Sequence, residues 1–202
     1  MDFFCRCQLY PRRLAIFPGT FNPPTNAHLA LAGEALRLAD EVVFVLPRAF
    51  PHKPYIGASF EERIVMLREA LPPDQPYSIA ACDGGLFVEI AAECRAAYGP
   101  AVDLSFLCGR DAAERILNWD YGRPGVVADM LSRFALMVAS RHGIYDPPEE
   151  FRHRIHLLGL DPEWDQVSAT DVREKVRLGE SWKHLVPETI AGRVMQIYAR
   201  LS

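Results

Sequence analysis

The sequence predicts an α/β fold, a mostly parallel sheet with helices on both faces, and three observations carry that reading. Short, nearly continuous apolar runs recur at Leu14–Phe17, Glu41–Leu46, Val102–Cys108, Phe134–Ala139 and Ile155–Leu158, the mark of strands buried on both faces. Between most of them lie segments whose apolar positions repeat at helical spacing. Glycine or proline closes several runs, as at Pro18-Gly19, Pro47 and Gly109. Buried strands alternating with helices form parallel sheets through helical crossovers. No repeat, low-complexity tract or linker divides the chain, so residues 14–202 read as one Rossmann-like domain. Residues 1–13 precede the first strand as a loosely held extension.

The chain has 202 residues, enough for one full core. Half of them are hydrophobic, and 22 Lys and Arg against 26 Asp and Glu give a net charge of −4. That balance argues against a nucleic-acid partner, which calls for a basic face. No apolar run approaches the roughly 18 residues of a membrane span, and no signal-peptide layout opens the chain. Five cysteines without a Cys-x-x-Cys pair read as free thiols of a reducing cytoplasm. Cys5-Arg6-Cys7 lacks the second ligand pair a metal needs. His153 and His156 would fall on opposite faces of a strand, so no metal pair is expected there either.

The elements follow in order. After the strand at Leu14–Phe17, Pro18-Gly19 breaks the chain and Pro23-Pro24 forces an extended turn. Thr25-Asn26-Ala27-His28 then leads into a helix. A strand, a glycine turn and a helix start suit an anion, because the first N–H groups of a helix point outward without partners. Gly19 would let the backbone approach a phosphate, and Thr25 and His28, three apart, share a face. Thr25 also suits an N-cap. After the second strand, the proline-rich stretch 48–57 carries His52 and Lys53 at the sheet's carboxyl edge, where open α/β sheets bind ligands. Ser59 to Glu62 form a capping box for the next helix, and Arg63, opening that helix, is in position to reach a phosphate, with a solvated surface arginine the preferred reading.

Tyr77–Ala81 suggests a short strand, and a helix follows the break at Gly84-Gly85. Beyond Val102–Cys108, Gly109 and Asp111 suit a ribose held by a carboxylate, or a helix cap by the same residue. Trp119-Asp120-Tyr121 offers aromatics for stacking or for a satellite packing cluster. Val167 to Arg173 forms a second anchor: Ser168 and Asp171 read as a capping box, and Arg173 lies one turn beyond Thr170. A guanidinium there fits a phosphate in bidentate fashion. The last helix carries Ile190, Val194, Ile197 and Leu201 on one stripe.

Gly19-Thr-Phe-Asn-Pro-Pro-Thr-Asn-Ala-His28 resembles the first signature of the nucleotidyltransferase superfamily, Gly-x-Phe-x-Pro followed by His or Thr, two residues and His. Ala27 stands where glycine is usual, and Thr25 is the variant seen in phosphopantetheine adenylyltransferases. Val167-Ser-Ala-Thr-Asp-Val-Arg173 resembles the second signature, Ile-Ser-x-Thr-x-x-Arg, with valine for isoleucine. Pro51-His52-Lys53, Gly109-x-Asp111 with Trp119, and Leu185-Val186-Pro187 before the last helix are similar to nicotinate mononucleotide adenylyltransferases. Those enzymes usually carry Ser-Tyr-Thr where this chain has Leu86-Phe87-Val88.

The resemblance implies AMP transfer from ATP to the phosphate of nicotinate mononucleotide, giving deamido-NAD and pyrophosphate. It implies ATP contacts from Gly19, Thr20, Phe21, Thr25, His28, Gly109, Asp111, Ser168, Thr170 and Arg173. Catalytic roles fall to His28, Thr25, Lys53 and Arg173, and acceptor contacts to His52, Lys53, Phe87, Val88 and Trp119. Mg²⁺ would ride on the ATP phosphates with no dedicated protein site. The alternatives are phosphopantetheine adenylyltransferase, a cytidylyltransferase with another phosphorylated acceptor, or a silent nucleotide-binding regulator. The oligomeric state stays open.

Overall fold

The computed structural model describes residues 1–7, 10–48, 57–139 and 145–201. Seven strands form one sheet: β1 (Asp2–Cys5), β2 (Arg13–Pro18), β3 (Glu41–Pro47), β4 (Tyr77–Cys82), β5 (Asp103–Gly109), β6 (Ala135–Ala139) and β7 (Ile155–Leu158). Their spatial order is β1-β4-β3-β2-β5-β6-β7. Every neighbouring pair is parallel except β1 with β4. Among the described residues, seven α-helices, α1 (Asn26–Ala35), α2 (Phe60–Ala70), α3 (Phe87–Tyr98), α4 (Arg110–Asn118), α5 (Val126–Arg133), α6 (Ala169–Leu178) and α7 (Glu188–Tyr198), occupy the connections and the carboxyl end. The expected α/β class, with a mostly parallel sheet, is borne out.

Alternation along the strands sorts the core into two layers. Leu14 and Ile16 of β2, Val43 and Val45 of β3, and Leu104, Phe106 and Cys108 of β5 pack on one face with Ile90 and Cys94 of α3 and Leu131 of α5. Ala15 and Phe17, Val42, Phe44 and Leu46, and Leu107 point the other way, onto Leu31 and Ala35 of α1 and Ile64 and Leu67 of α2. A third cluster joins Met66 and Ala70 of α2 to Val172 and Val176 of α6 and Ile190, Val194 and Ile197 of α7. Among the described residues no helix is long and apolar enough to cross a membrane.

Three expectations are corrected. The amino-terminal segment is not loosely held throughout: Asp2–Cys5 adds an antiparallel edge strand to β4. Arg6 lies over the rings of Phe3 and Tyr98, and Arg48 pairs with Asp2 at 2.7 Å, so side-chain contacts outweigh a weak strand pattern. A helix, α5, occupies a stretch for which no element is expected. It is only eight residues long and opens on Gly125 in the left-handed region (φ 80°), without a capping side chain to announce it. Arg63 is a buried arginine, 4 % exposed, and its role belongs to the site.

Strand order reverses between β2 and β5. The chain leaves β2 toward β3 on one side and β5 toward β6 on the other, which opens a crevice at their carboxyl ends.

Candidate active site

The crevice is a hollow of about 520 Å³ lined by Phe17 of β2, His28 and Leu31 of α1, Gly109 of β5, Arg110, Asp111 and Glu114 of α4, and Ala139 of β6. Gly19 follows β2, and its N–H is held by the Val45 carbonyl at 3.0 Å. A Cβ on Gly19 would come within 2.8 Å of the Phe21 ring, so glycine is required there by the phenylalanine folded beneath it. Phe21 itself has φ 47°, a left-handed conformation unusual for an aromatic residue. Its ring is buried edge-on to Phe17 at 5.4 Å and to His28 at 5.3 Å. Phe21 thus supports the turn from below, and Thr20 is exposed.

Thr25 is fully buried and caps α1. Its hydroxyl accepts the His28 N–H at 3.4 Å, and its own backbone N–H donates to His28 Nδ1 at 3.0 Å. The arrangement is a capping box in which histidine takes the place of the usual Glu or Gln. A backbone N–H can only donate, so Nδ1 is the acceptor and the neutral ring carries its proton on Nε2. The Thr25 hydroxyl, 2.7 Å from Nδ1, reinforces the same tautomer. His28, tilted against Phe17, is therefore a hydrogen-bond donor in the wall of the hollow.

Two arginines seat the turn from opposite sides. Arg63 Nη1 donates to the Thr20 carbonyl at 3.0 Å, and Arg173 Nη1 donates to the Asn22 carbonyl at 2.7 Å. The same Arg173 nitrogen reaches the Ala169 carbonyl at 3.2 Å, and Nη2 reaches Thr170 Oγ1, also at 3.2 Å. Among the described residues, Nε–H and one Nη2 hydrogen of Arg173 take no protein partner. Ser168 caps α6, accepting the Asp171 N–H at 3.1 Å. Its hydroxyl then donates to the Asp171 carboxylate at 2.6 Å, so the reciprocal bond of a capping box is replaced by a side-chain pair. Arg173 thus brings α6, with Thr170 exposed on its first turn, to the Asn22 end of the turn that leads into α1.

The opposite wall is chemically different. Gly109 is the N-cap of α4 without a side-chain cap, so Asp111 lies exposed in the first turn rather than serving as the cap. Arg110 pairs with Glu114 at 2.7 Å, and that carboxylate pushes the guanidinium further up from its ordinary value. Carboxylates on this side suit hydroxyl donors, whereas the histidine and arginine side suits anions. Burial pushes the Cys108 thiol, beside Gly109, up to about 12, which leaves it neutral and unreactive.

Of the expected acceptor residues that are described, none lines the hollow. Trp119 stands 62 % exposed just past α4, and Val88 is exposed on the first turn of α3. Phe87 stacks on Phe106 at 4.2 Å and meets Phe134 edge-on, so its ring belongs to the core. The Gly85 and Leu86 N–H groups are both taken by Glu89 Oε2 at 3.0 Å. His52 and Lys53 lie outside the described residues.

The sequence reading raised Arg63 as a phosphate contact but preferred a surface role, although a signal for burial was present. It lies on the buried stripe of α2 with Met66, Leu67 and Ala70, and an arginine on such a stripe has a buried task. Asn22 and Tyr198, discussed below, were missed.

Comparison with known proteins agrees with this geometry. The cytidylyltransferase-like family matches residues 16–175, which contain both signatures. The chain is 33 % identical to a protein of Moorella thermoacetica named "Probable nicotinate-nucleotide adenylyltransferase", covering 89 % of this chain and 88 % of that one. A protein of the same name from Citrifermentans bemidjiense is 29 % identical, covering 88 % and 93 %. The fold is similar to that of Plasmodium falciparum nicotinic acid mononucleotide adenylyltransferase complexed with NaAD, with TM-score 0.69, 17 % identity, and 93 % and 98 % of the two chains covered. The resemblance found at Gly19–His28 and Val167–Arg173 is thus borne out over nearly the whole chain, and the chain belongs to the cytidylyltransferase-like family.

Proposed function

We propose that this chain is a nicotinate-nucleotide adenylyltransferase, transferring AMP from ATP to the phosphate of nicotinate mononucleotide with release of pyrophosphate. The observation that carries the reading is the histidine of the α1 capping box, fixed by Thr25 as an Nε2–H donor in the wall of the switch-point hollow. A purely structural cap needs only an acceptor, which glutamate supplies. The relatives' shared name supports nicotinate mononucleotide as the acceptor.

In the proposed reaction an oxygen of the acceptor phosphate attacks the α-phosphorus of ATP. The new P–O bond forms as the bond to the bridging oxygen breaks, and pyrophosphate departs with that electron pair. A phosphate monoester is already largely ionised near neutral pH, so no base is needed, and catalysis is positioning plus stabilisation of charge. His28 Nε2–H donates to the phosphate chain where charge builds, and Thr25 fixes the imidazole. The Nε–H and the remaining Nη2 hydrogen of Arg173, without a partner among the described residues, hold the departing pyrophosphate, with Ser168, Thr170 and the α1 and α6 N-termini around it. Gly19, Thr20 and Phe21 shape the turn over which the phosphates lie. Gly109 leaves room for the ribose, and the Asp111 carboxylate accepts its hydroxyls. Val88, Trp119 and the backbone at Phe87 are the described groups assigned to the acceptor, and the roles of His52 and Lys53 there rest on the Pro51-His52-Lys53 resemblance. Mg²⁺ would be held through the phosphate oxygens of ATP, where it would neutralise charge on the polyphosphate. Residues 14–202 carry the nucleotidyltransferase machinery, with the edge strand β1 completing their sheet, and the chain acts in the cytoplasm, in keeping with five free thiols.

The decisive experiment measures pyrophosphate release with ATP and CTP, each against nicotinate mononucleotide, nicotinamide mononucleotide and phosphopantetheine. ATP with nicotinate mononucleotide is expected to give the highest kcat/KM. Preference for CTP or for phosphopantetheine would overturn the assignment, and no turnover with any pair would favour a silent nucleotide-binding regulator.

A further inference from the structure

Asn22 is buried, 4 % exposed, in the middle of the turn that the proposed function places under the phosphates. Its side-chain oxygen accepts from two donors far apart in the chain, the Ala58 N–H at 3.1 Å and the Tyr198 hydroxyl at 2.6 Å. The Ala58 N–H can only donate, so the carboxamide must present Oδ1 on that side, and the phenol in turn must donate to it. The backbone carbonyl of Asn22 meanwhile accepts from Arg173. One residue therefore ties together the lead-in to α2, the last turn of α7 and the guanidinium of α6.

The surroundings are built around that carboxamide. Gly57, at φ 140°, passes directly over it, and a Cβ there would land on the Asn22 side chain. Phe21, immediately before, holds a left-handed conformation that persists only where neighbours over-determine it. Tyr198 is 2 % exposed, where packing alone would be served by phenylalanine, and its hydroxyl, costly to bury unpaired, finds this acceptor. Both Nη1 hydrogens of Arg173 are committed to carbonyls, of Asn22 and of Ala169, so the plane of the guanidinium is set by where Asn22 sits.

We propose that Tyr198 and Asn22 are positioning residues for the transfer reaction: the Tyr198 hydroxyl orients the Asn22 carboxamide, and the Asn22 carbonyl aims Arg173 at the phosphates. This rests on Arg173 holding phosphate, as proposed above. The geometry makes the carboxyl-terminal helix part of the ATP site although none of its side chains lines the hollow.

The test is a double-mutant cycle of Tyr198→Phe and Arg173→Lys, reading kcat/KM for ATP, KM for the acceptor, and Tm on the same samples. Tyr198→Phe is expected to lower kcat/KM for ATP about tenfold, to leave acceptor KM within about twofold, and to lower Tm by a few degrees. In the Arg173→Lys background the same change should lower kcat/KM no more than about twofold further, because the group it aims is already lost, while its effect on Tm persists. A Tyr198→Phe protein with near-normal kcat/KM beside an impaired Arg173→Lys overturns this proposal alone. Full additivity does the same, as does a Tyr198→Phe chain that fails to fold, since the hydroxyl would then be holding the fold rather than the arginine. An Arg173→Lys protein with unchanged kcat/KM for ATP overturns the phosphate role of Arg173 and this proposal with it.

Discussion

The backbone N–H of Thr25 donates to Nδ1 of His28 at 3.0 Å, so the residue that ends one face of the capping box also presents the proton-bearing nitrogen of its ring. Structure and chemistry share one side chain, and substitutions can pull them apart.

His28→Ala removes both roles. The lost cap should lower stability by about 1 kcal/mol, or about 2–4 °C in Tm for a chain of this size. The lost donor should lower kcat about 10²- to 10³-fold. His28→Gln restores a capping box and should recover most of the Tm while kcat stays at least tenfold down. Melting curves and steady-state kinetics on both variants decide. Turnover of a folded His28→Ala protein within threefold of the unaltered chain would end the catalytic reading.

Arg63→Met keeps the buried stem of the side chain and removes the donor to the Thr20 carbonyl. Leaving that carbonyl unsatisfied should destabilise the chain by about 1–3 kcal/mol and loosen the turn that Phe21 already holds in a rare conformation. ATP affinity, measured by titration, should fall several-fold while acceptor KM changes little. A loss of Tm with intact ATP affinity would place Arg63 in the core alone.

Trp119 stands exposed, so Trp119→Ala should change Tm by less than about 2 °C, in line with surface substitutions. If its ring stacks on the pyridine, acceptor KM should rise by about tenfold, the scale of one aromatic contact, with ATP KM unaffected. Equal KM values for both substrates in the variant and the unaltered chain would remove Trp119 from the site.

A pH effect comes from the far end of the sheet. Glu41 is fully buried at the start of β3, where Oε1 accepts from Ser78 at 2.5 Å and from Tyr98 at 2.6 Å. Burial raises its pKa above 4.5, against the opposing pull of those two hydrogen bonds and of Arg6. The native state therefore holds the proton at pH values where the unfolded chain has lost it, and stability contributed by protonated Glu41 declines as pH rises from about 4.5 through the raised value. Glu41→Gln lacks that decline, so its Tm relative to the unaltered chain should climb across the same window. A Tm difference that is flat with pH would show that Glu41 titrates alike in both states.

Much of the fold was legible because buried strands announce themselves locally. Val42 to Leu46 is apolar without interruption and Leu104 to Cys108 is broken only by Ser105, and the sheet they form is parallel for the reason such runs exist. Both phosphate anchors were legible as helix starts, since Thr25 and Ser168 are capping residues at the ends of breaks in the pattern. What stayed hidden depends on partners remote in sequence. Nothing local to Asp2–Cys5 says that it will pair with Tyr77–Cys82, and nothing near Asn22 points to Tyr198, 176 residues on. Thr25 and His28 were read as neighbours, but the box they close escaped because such boxes ordinarily end in a carboxylate or an amide. Phe87 was assigned from the resemblance, and its ring stacks on Phe106 in a cluster that Phe134 meets edge-on.

The bond between Tyr198 and Asn22 also orders events during synthesis. The first signature leaves the ribosome early, the arginine of the second follows 151 residues after the carbonyl it grips, and the phenol that sets the carboxamide comes later still. A nascent chain that stops short of α7 already holds both signatures, and Arg173 with the carbonyl it grips, yet lacks the phenol that sets the Asn22 carboxamide. The seat of the first signature is thus finished from the far end of the chain.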